Sequence, residues 1–327
     1  MGKVDGKVVI VTGAGRGIGR AEALEFARQG AFVVVNDHGA DVHGSGHAET
    51  PAEQVVAEID AMGGTAIANG EDVADWDGAE RTVAAAVESF GRLDVLVNNA
   101  GILRDRTIAN MAADEWDDVI RVHLRGTFAM LHHAANHWKR VASTGTRPNA
   151  AVINTTSGSG LFGNQGQSNY GAAKAAIASL TMIAAQELAR YDVRVNAIGP
   201  TALTRMTDDR PYFQDDKALL ERDPDAFVPT APNNVAPVVV WLASDAAKDV
   251  TARVLFIVGG TIEVVQPWEH GPKREKGARW EVDELDAVVP ELLAEARAPM
   301  FAGGTSGGKH IVTADEYFAS VERKNAE

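Results

Sequence analysis

The sequence predicts an α/β protein with one doubly wound domain. We expect a seven-stranded, mainly parallel sheet with helices on both faces, followed by a partly helical C-terminal extension. Two observations predict the domain: short β-branched runs alternate with longer helical patterns, and a glycine-rich turn joins the first strand to the first helix. A change of composition near residue 268 predicts the extension. We therefore divide the chain into a domain at 1–267 and an extension at 268–327 that is not an independent domain.

Composition excludes several classes of function. The 327 residues include no cysteine, so disulfides, thiol nucleophiles and cysteine–zinc sites are ruled out. The formal net charge of -14 argues against a nucleic-acid partner. No apolar run approaches the ~20 residues of a membrane span. The N-terminus does not resemble a signal peptide and the C-terminus carries no peroxisomal address, so we expect a cytoplasmic protein.

The first strand and the turn after it predict a dinucleotide site. Val8 to Val11 is a β-branched run, and a helical pattern continues from about Arg20 to Gly30. Glycines between them would let the backbone approach a pyrophosphate at the helix N-terminus, as in a Rossmann-type fold. The alternative is a glycine-rich turn without a ligand. The predicted cofactor contacts here are Gly13, Arg16, Gly17, Ile18 and Gly19.

The second strand, Phe32 to Asn36, ends at an acidic residue. Asp37 can hydrogen-bond both hydroxyls of an adenosine ribose and would repel a 2′-phosphate, which favours NAD over NADP. The alternative is an aspartate that serves a cap or a turn. Three histidines follow in the polar loop 38–50, at 38, 43 and 47. Their loose spacing favours solvated loop side chains, and we predict no metal site.

The third strand, Thr65 to Asn69, follows a helix at 51–62. Glu71, Asp72 and Val73 come after this strand, where they could meet an adenine ring. The alternative is an N-terminal cap for the next helix, Trp76 to Phe90.

The fourth strand, 93–97, ends in two asparagines, an alanine and a glycine. Asn98 and Asn99 could hold neighbouring strands and, with Ala100 and Gly101, the edge of the cofactor. A long helix from Asp114 to about Lys139 follows and contains His123. Histidines at 133 and 137 stand four residues apart, but no glutamate follows the first, so the zinc-protease pattern fails.

The fifth strand, 151–155, leads to the residues that predict chemistry. Ser157 follows it, and the helix 168–190 carries Tyr170 and Lys174 on one face. A lysine ammonium beside a phenol lowers the tyrosine pKa, so Tyr170 could act as a general acid or base. The hydroxyl of Ser157 could hydrogen-bond the oxygen whose charge changes. The alternative is an ordinary amphipathic helix with a half-buried tyrosine.

The remaining elements complete the predicted domain. A sixth strand at 193–198 leads to Pro200 and Thr201, the segment 204–232 reads as a mobile flap, a helix follows at 235–243, and a seventh strand lies at 254–258. The extension begins with a charged turn at 273–276. It continues with a helix at 282–298, a glycine-rich linker at 303–308, and a capping box at 313–316.

These motifs resemble the short-chain dehydrogenase/reductase family over residues 4 to about 260. The shared motifs are TGAGRGIG, NNAG and the Ser157/Tyr170/Lys174 triad. Within the family the likeness is closest to the dehydrogenase domains of the type 2 multifunctional-enzyme subgroup. The stretches VVVNDHGADVHG, NNAGILRDR, RVHLRGTF and GNQGQSNYGAAK carry that likeness.

The resemblance implies a role for each matched residue. Tyr170 would be the catalytic base, Lys174 its pKa modifier and a ribose ligand, and Ser157 the ligand of the substrate oxygen. His123 stands where the family usually has an asparagine in a proton relay behind the lysine. Pro200–Thr201 replaces the more common Pro-Gly, in a loop expected beside the nicotinamide.

The resemblance also implies an activity: NAD-dependent oxidation of a secondary alcohol, as in a 3-hydroxyacyl-CoA with a fatty-acyl or steroid side chain. Alternatives are a 17β-hydroxysteroid dehydrogenase, an NADPH-dependent 3-oxoacyl reductase, which Asp37 disfavours, and a catalytically silent NAD-binding scaffold. Family likeness implies a homodimer or homotetramer. Four alanines of the predicted helix 168–190, at 172, 173, 175 and 176, would permit close packing against a helix of another subunit.

Overall fold

The computed structural model describes residues 2–39, 50–207, 213–223, 226–266, 268–302 and 311–313, with residues 316 and 319. Within them an eight-stranded sheet has the order β3-β2-β1-β4-β5-β6-β7-β8. All neighbouring pairs are parallel except β7 with β8. The strands are β1 (Val8–Thr12), β2 (Phe32–Asn36), β3 (Thr65–Asn69), β4 (Val95–Asn98), β5 (Ala150–Thr155), β6 (Val193–Thr201), β7 (Val254–Val258) and β8 (Thr261–Val265).

Helices cover both faces of this sheet, which confirms the predicted doubly wound α/β class. They are α1 (Gly17–Arg28), α2 (Thr50–Ala61), α3 (Trp76–Phe90), α4 (Ala113–Ile120), α5 (Gly126–Ser143), α6 (Gly158–Phe162), α7 (Ser168–Leu188), α8 (Gln214–Arg222), α9 (Ala236–Ala243) and α10 (Val282–Glu295). None of the helices in the described ranges is long and apolar enough to cross a membrane.

The core lies in two apolar layers, one on each face of the sheet. Alternate residues of β1 belong to different layers: Val9 and Val11 pack on one side, Val8 and Ile10 on the other. This arrangement explains why β1 is apolar along its length rather than alternating. Because the strand order reverses between β1 and β4, a crevice opens at their carboxyl ends, where such sheets bind ligands.

The sheet has one strand more than predicted. Val258 and Thr261 pair across Gly259–Gly260, so β8 turns back antiparallel to β7. Gly259 has a φ of 56°, which the tight hairpin requires and which glycine adopts readily. The hairpin has a local signal in the sequence, because two apolar runs are separated there by two glycines.

Several predicted boundaries differ from the structure. Helix α1 begins at Gly17 rather than Arg20, and β6 continues to Thr201 rather than ending at 198. The short helix α6 after Ser157 was not predicted. The helix predicted from 114 to 139 is interrupted by a π turn at Arg121–Arg125, which separates α4 from α5. The predicted flap contains α8, and residues 208–212 and 224–225 of it lie outside the described ranges.

The extension contains the predicted helix as α10, together with a two-stranded hairpin of β9 (Met300–Ala302) and β10 (Ile311–Thr313). The capping box is confirmed at its hydrogen bonds: Thr313 N donates to Glu316 Oε2 at 2.9 Å, and Glu316 N donates to Thr313 Oγ1 at 3.3 Å. Arg274 of the charged turn pairs with Glu295. The predicted linker 303–308 and the histidines at 43 and 47 lie outside the described ranges.

Candidate active site

The glycine-rich loop at residues 13–19, called the glycine loop below, leads from β1 into α1 and lies at the mouth of the crevice. Gly13 and Gly17 have φ values of 63° and 56°, and a Cβ on Gly19 would lie 2.3 Å from the carbonyl oxygen of Gly13. Side chains at these positions would strain the backbone or fill the loop. Arg16 precedes α1 without a side-chain capping bond, so the first amides of this helix are left for an anion, as a pyrophosphate requires.

Asp37 is fixed to this loop at the end of β2. Its Oδ2 accepts a hydrogen bond from Gly15 N and its Oδ1 one from Gly39 N, both at 2.8 Å. A Cβ on Gly15 would lie 2.7 Å from the same Oδ2, so the close approach depends on glycine. The side chain is buried and lines the crevice. A carboxylate held in this way is ready to accept hydrogen bonds from ribose hydroxyls.

The turn after β3 forms the other wall. Asp72 Oδ1 accepts from Ala74 N at 2.8 Å and Oδ2 from Arg121 Nη1 at 2.7 Å. Burial alone would raise the pKa of Asp72, but these two hydrogen bonds and the nearby charges of Arg121 and His38 together outweigh it and lower the pKa. The N-cap of α3 is Asp75, which accepts from Gly78 N, so the alternative of Asp72 as the cap is wrong.

The crevice brings together most of the predicted cofactor residues. Gly13, Arg16, Gly17, Ile18, Asp37, Asp72, Val73, Ala100 and Gly101 all line it. Gly19, Asn98, Tyr170, Lys174, Pro200 and Thr201 do not, and the last two are the end of β6, paired with Ile257 and Val258 of β7. Glu71 and Asn99, which the sequence also indicates, line it as well. Further lining residues without a predicted cofactor contact are Asn36, His38, Ile102, Arg121, Val122, Thr204, Arg205 and Met206.

The two asparagines at the end of β4 form hydrogen bonds with different neighbours. Asn98 Nδ2 donates to Asn154 Oδ1 of β5 at 2.9 Å, whereas Asn99 Nδ2 donates to the carbonyl oxygens of Thr12 and Gly13. Asn99 therefore shapes the glycine loop. The pair of asparagines at the end of a buried strand indicated a role of this kind from the sequence.

Three of the predicted catalytic residues, Tyr170, Lys174 and His123, lie close together. Lys174 Nζ lies 5.5 Å from the centroid of the Tyr170 ring and donates to Thr155 O at 2.7 Å. The ring of His123 meets the ring of Tyr170 edge-on, with centroids 5.1 Å apart and planes at 84°. Ser157 is the N-cap of α6, and its Oγ accepts from Ser159 N. The four side chains thus come from helix α7, from the π turn and from the residue that precedes α6.

Residues next to the triad set its position. Thr156 Oγ1 donates to Lys174 O at 2.7 Å, which ties the turn before α6 to α7. Asn169 is fully buried; its Oδ1 accepts from Tyr170 N, and its Nδ2 donates to the carbonyl oxygens of Arg104 and Glu115. The hydrogen bonds to Lys174, Arg104 and Glu115 could not be predicted from the sequence, because they join segments that are distant in the chain.

Burial sets the charges of this cluster. It lowers the pKa of Lys174 to about 7, which makes the lysine able to gain or lose a proton near neutral pH. Burial, together with the charge of Lys174, lowers the pKa of His123 to about 3, so the imidazole is neutral. Its Nε2 lies 2.8 Å from Ile102 O and 3.1 Å from Ile102 N; we assign the ring proton to Nε2, which then donates to the carbonyl oxygen, the shorter of the two contacts. The Nδ1 atom is then an acceptor.

Buried acceptors at the strand ends fit a polar ligand. Asn98 Oδ1, Thr155 Oγ1 and His123 Nδ1 are buried without a hydrogen-bond partner among the described residues. Two of them end β4 and β5, and the third belongs to the π turn. Together with the glycine loop and Asp37, these groups fit a dinucleotide ligand. Within the described ranges, no group of three His, Cys, Asp or Glu residues is placed to bind a metal.

A fold with this crevice and this cluster defines a class of enzyme. The family model for short chain dehydrogenase matches residues 7–215. The chain belongs to the short-chain dehydrogenase family, and it is an oxidoreductase that uses a nicotinamide cofactor.

Two relatives are similar to this chain over most of its length. Peroxisomal multifunctional enzyme type 2 of Mus musculus is 41% identical over 266 residues, which is 81% of this chain and 32% of the mouse enzyme. Hydroxyacyl-CoA dehydrogenase ChsB1 of Mycobacterium tuberculosis is 41% identical over 299 residues, or 89% of this chain and 90% of that enzyme. The chain thus spans about a third of the mouse enzyme. The predicted likeness to the type 2 subgroup is confirmed.

Two solved structures are similar. A short chain dehydrogenase from Mycobacterium avium has a TM-score of 0.82 and 50% identity, covering 93% of this chain and 100% of that chain. A short chain dehydrogenase from Mycobacterium paratuberculosis, bound to NAD, has a TM-score of 0.68 and 27% identity, covering 79% and 98%.

Proposed function

We propose that the protein oxidises the secondary alcohol of a 3-hydroxyacyl-CoA to a ketone with NAD. The observation that carries the proposal is the Tyr170–Lys174–His123 cluster at one side of a crevice whose other end holds Asp37. The names of the two relatives, a multifunctional enzyme and a hydroxyacyl-CoA dehydrogenase, support the substrate class.

The chain's own residues account for the proton chemistry. When bound, the nicotinamide supplies the hydride acceptor. Tyr170, as phenolate, removes the proton of the alcohol, and Ser157 donates a hydrogen bond to the same oxygen. Lys174 lies within 5.5 Å of the phenol ring, held by Thr155 O, and its charge favours the phenolate. His123, neutral and with a free acceptor at Nδ1, passes the proton on from Lys174.

The preference for NAD rests on Asp37. A buried carboxylate would repel a ribose 2′-phosphate at that end of the crevice. Arg16, Arg121 and Arg205 line the same crevice and keep the NADPH-dependent 3-oxoacyl reductase as a second candidate. Arg121 already pairs with Asp72, which reduces its value as a phosphate ligand.

The proposal is tested with purified protein and either NAD or NADP, following absorbance of the reduced cofactor. The substrates are a short and a steroid-bearing 3-hydroxyacyl-CoA and a free 17β-hydroxysteroid. Fastest NAD-dependent turnover on a thioester supports the proposal, whereas turnover on the free steroid alone moves it to a hydroxysteroid dehydrogenase. NAD binding without turnover on any substrate would identify a silent scaffold. Tyr170→Phe should abolish turnover and leave NAD affinity largely unchanged.

The extension and helix α7 bear on the proposed assembly. We expect Leu161 and Phe162 of α6 to form an apolar wall for the substrate body, and β9 of the extension packs against the same helix. The segment 268–327 is therefore proposed as part of the dehydrogenase unit.

Ala172 and Ala175 are exposed on α7, consistent with the proposed homodimer or homotetramer, and light scattering on the purified protein distinguishes the two.

A further inference from the structure

The π turn at Arg121–Arg125 is a local departure from the helix that the sequence predicts. It lies between α4 and α5, and His123 is at its centre. A π turn is rare inside a helix, where it appears mostly at functional sites. Since an uninterrupted α-helix is the more common arrangement, other contacts must stabilise this one.

Two arginines anchor the turn at its first and last residues. Arg121 Nη1 donates to Asp72 Oδ2 at 2.7 Å, and Arg125 Nε donates to Ala74 O at 2.9 Å. Both acceptors belong to the short segment that follows β3. The two hydrogen bonds therefore fix the π turn against one neighbouring segment at both of its ends.

Close packing reinforces this anchoring. Gly126, the first residue of α5, lies against Val73, and a Cβ on Gly126 would come within 2.9 Å of Val73 Cγ2. On the inner side, a Cβ on Gly101 would lie 2.3 Å from His123 Cε1. The imidazole thus occupies a narrow space between Gly101 and the Tyr170 ring, and a shift of the turn would displace it.

The same segments form the cofactor crevice. Asp72 and Val73 line it from one side, and Arg121 and Val122 line it from the other. Val122 directly precedes His123 in the chain. A molecule in the crevice would therefore rest on the anchored π turn, one residue away from the histidine that contacts Tyr170.

We propose that the π turn couples occupancy of the adenine end of the crevice to the placement of His123, with Arg121 and Arg125 as positioning residues. The anchors hold the turn in the register that puts the imidazole between Gly101 and Tyr170. A bound cofactor that presses on Asp72, Val73 and Val122 stabilises the same register. The inference rests on the relay role of His123 in the proposed function.

A double-mutant cycle tests the catalytic side of this coupling. Arg125→Ala should lower kcat by about three- to tenfold, the loss expected from one hydrogen bond of typical strength. In the His123→Ala background, Arg125→Ala should change kcat less than twofold, because the residue it positions is gone. Arg125→Lys, which keeps a donor, should recover part of the loss. Equal losses in both backgrounds would overturn the coupling.

The relay and the coupling fail in different ways. If His123→Ala alone keeps the full kcat, the relay is refuted and the inference falls with it. If His123→Ala lowers kcat but the two substitutions act additively, the relay survives and only the coupling is refuted.

Two measurements without turnover test the cofactor side. In the cofactor-free protein, Arg121→Gln and Arg125→Ala should speed amide hydrogen exchange at 121–126, and NAD should slow exchange there in the unmodified chain. Calorimetric titration should show NAD affinity reduced by about two- to fivefold in Arg121→Gln, within the range for a partly exposed ion pair.

Arg81→Gln is the matched control. Arg81 pairs with Glu71 and Asp75 of the same neighbourhood but does not contact the π turn in the described structure. This control should leave exchange at 121–126 unchanged. Equal exchange in the control and in both anchor variants would overturn the proposal.

Discussion

Glu22 in α1 should make the protein less stable as the pH rises from 5 to 8. Its carboxylate is fully buried, and neither oxygen has a hydrogen-bond partner among the described residues. Burial raises the pKa from 4.5 to about 8, so the folded protein keeps this proton over a range in which the unfolded chain loses it. A state that binds more protons is disfavoured as pH rises, so the free energy of unfolding falls across this window.

The size of the effect follows from the two pKa values. At about 1.36 kcal/mol per pH unit, the full separation amounts to about 5 kcal/mol. About 3 to 4 kcal/mol of this is lost between pH 5 and pH 8, since the window opens near pH 4.5 and closes near pH 8. For a chain of this length we expect the Tm to fall by roughly 5 to 10 °C from this group alone.

Glu22→Gln isolates the contribution, because it keeps the shape and removes the titration. The Tm of the variant minus that of the unmodified chain should become more positive from pH 5 to pH 8. Glu88→Gln is the control: Glu88 is an exposed glutamate of α3, and its substitution should give the same Tm difference at both pH values. A Glu22→Gln difference that does not change with pH would refute a buried, protonated carboxyl group.

Three further predictions concern the site. Gly101→Ala should lower kcat at least tenfold while the protein stays folded by circular dichroism, because the new Cβ would lie 2.3 Å from the His123 ring; unchanged kcat would contradict this packing. Asp37→Asn should raise kcat/KM with NADP relative to NAD by roughly tenfold, since the negative charge that repels the phosphate is removed. Lys174→Met should be inactive yet more stable at pH 7, since burial lowers the lysine pKa to about 7 and disfavours the protonated form below about pH 10; the Tm difference should shrink as the pH rises toward 10.

The sequence predicted most of the fold because local patterns and the core agree. β-branched runs such as 8–11 and 33–35 are buried on both faces, so their apolar character is a direct indication of parallel strands. The β7–β8 hairpin has a local signal, the two glycines between its strands, whereas the π turn is decided by a distant contact. The π turn at 121–125 depends on hydrogen bonds to the segment 72–74, and no local pattern around residue 121 indicates a partner about 50 positions earlier in the chain.

The site residues also divide into those that local sequence patterns predict and those that only contacts between distant segments reveal. Gly13, Gly17 and Asp37 could be placed in advance because each follows a strand that ends at one edge of the sheet. Asn98 was predicted at the cofactor edge or between strands, and the structure shows its bond to β5. Asn169 could not have been found, because its hydrogen bonds to Arg104 O and Glu115 O join segments that are far apart in the chain.

A buried chain of hydrogen bonds explains how helix α7 keeps its place relative to the crevice. Asn98 Nδ2 at the end of β4 donates to Asn154 Oδ1 of β5, and Asn154 Nδ2 donates to Thr181 Oγ1 of α7, each at 2.9 Å. Thr181 in turn donates to Ile177 O within the helix. Apolar packing alone tolerates small shifts, whereas a hydrogen bond in a dry core fixes a distance, because an unpaired polar group there is costly. These hydrogen bonds thus fix the position of α7, which carries Tyr170 and Lys174, relative to β4, the strand that ends at the crevice.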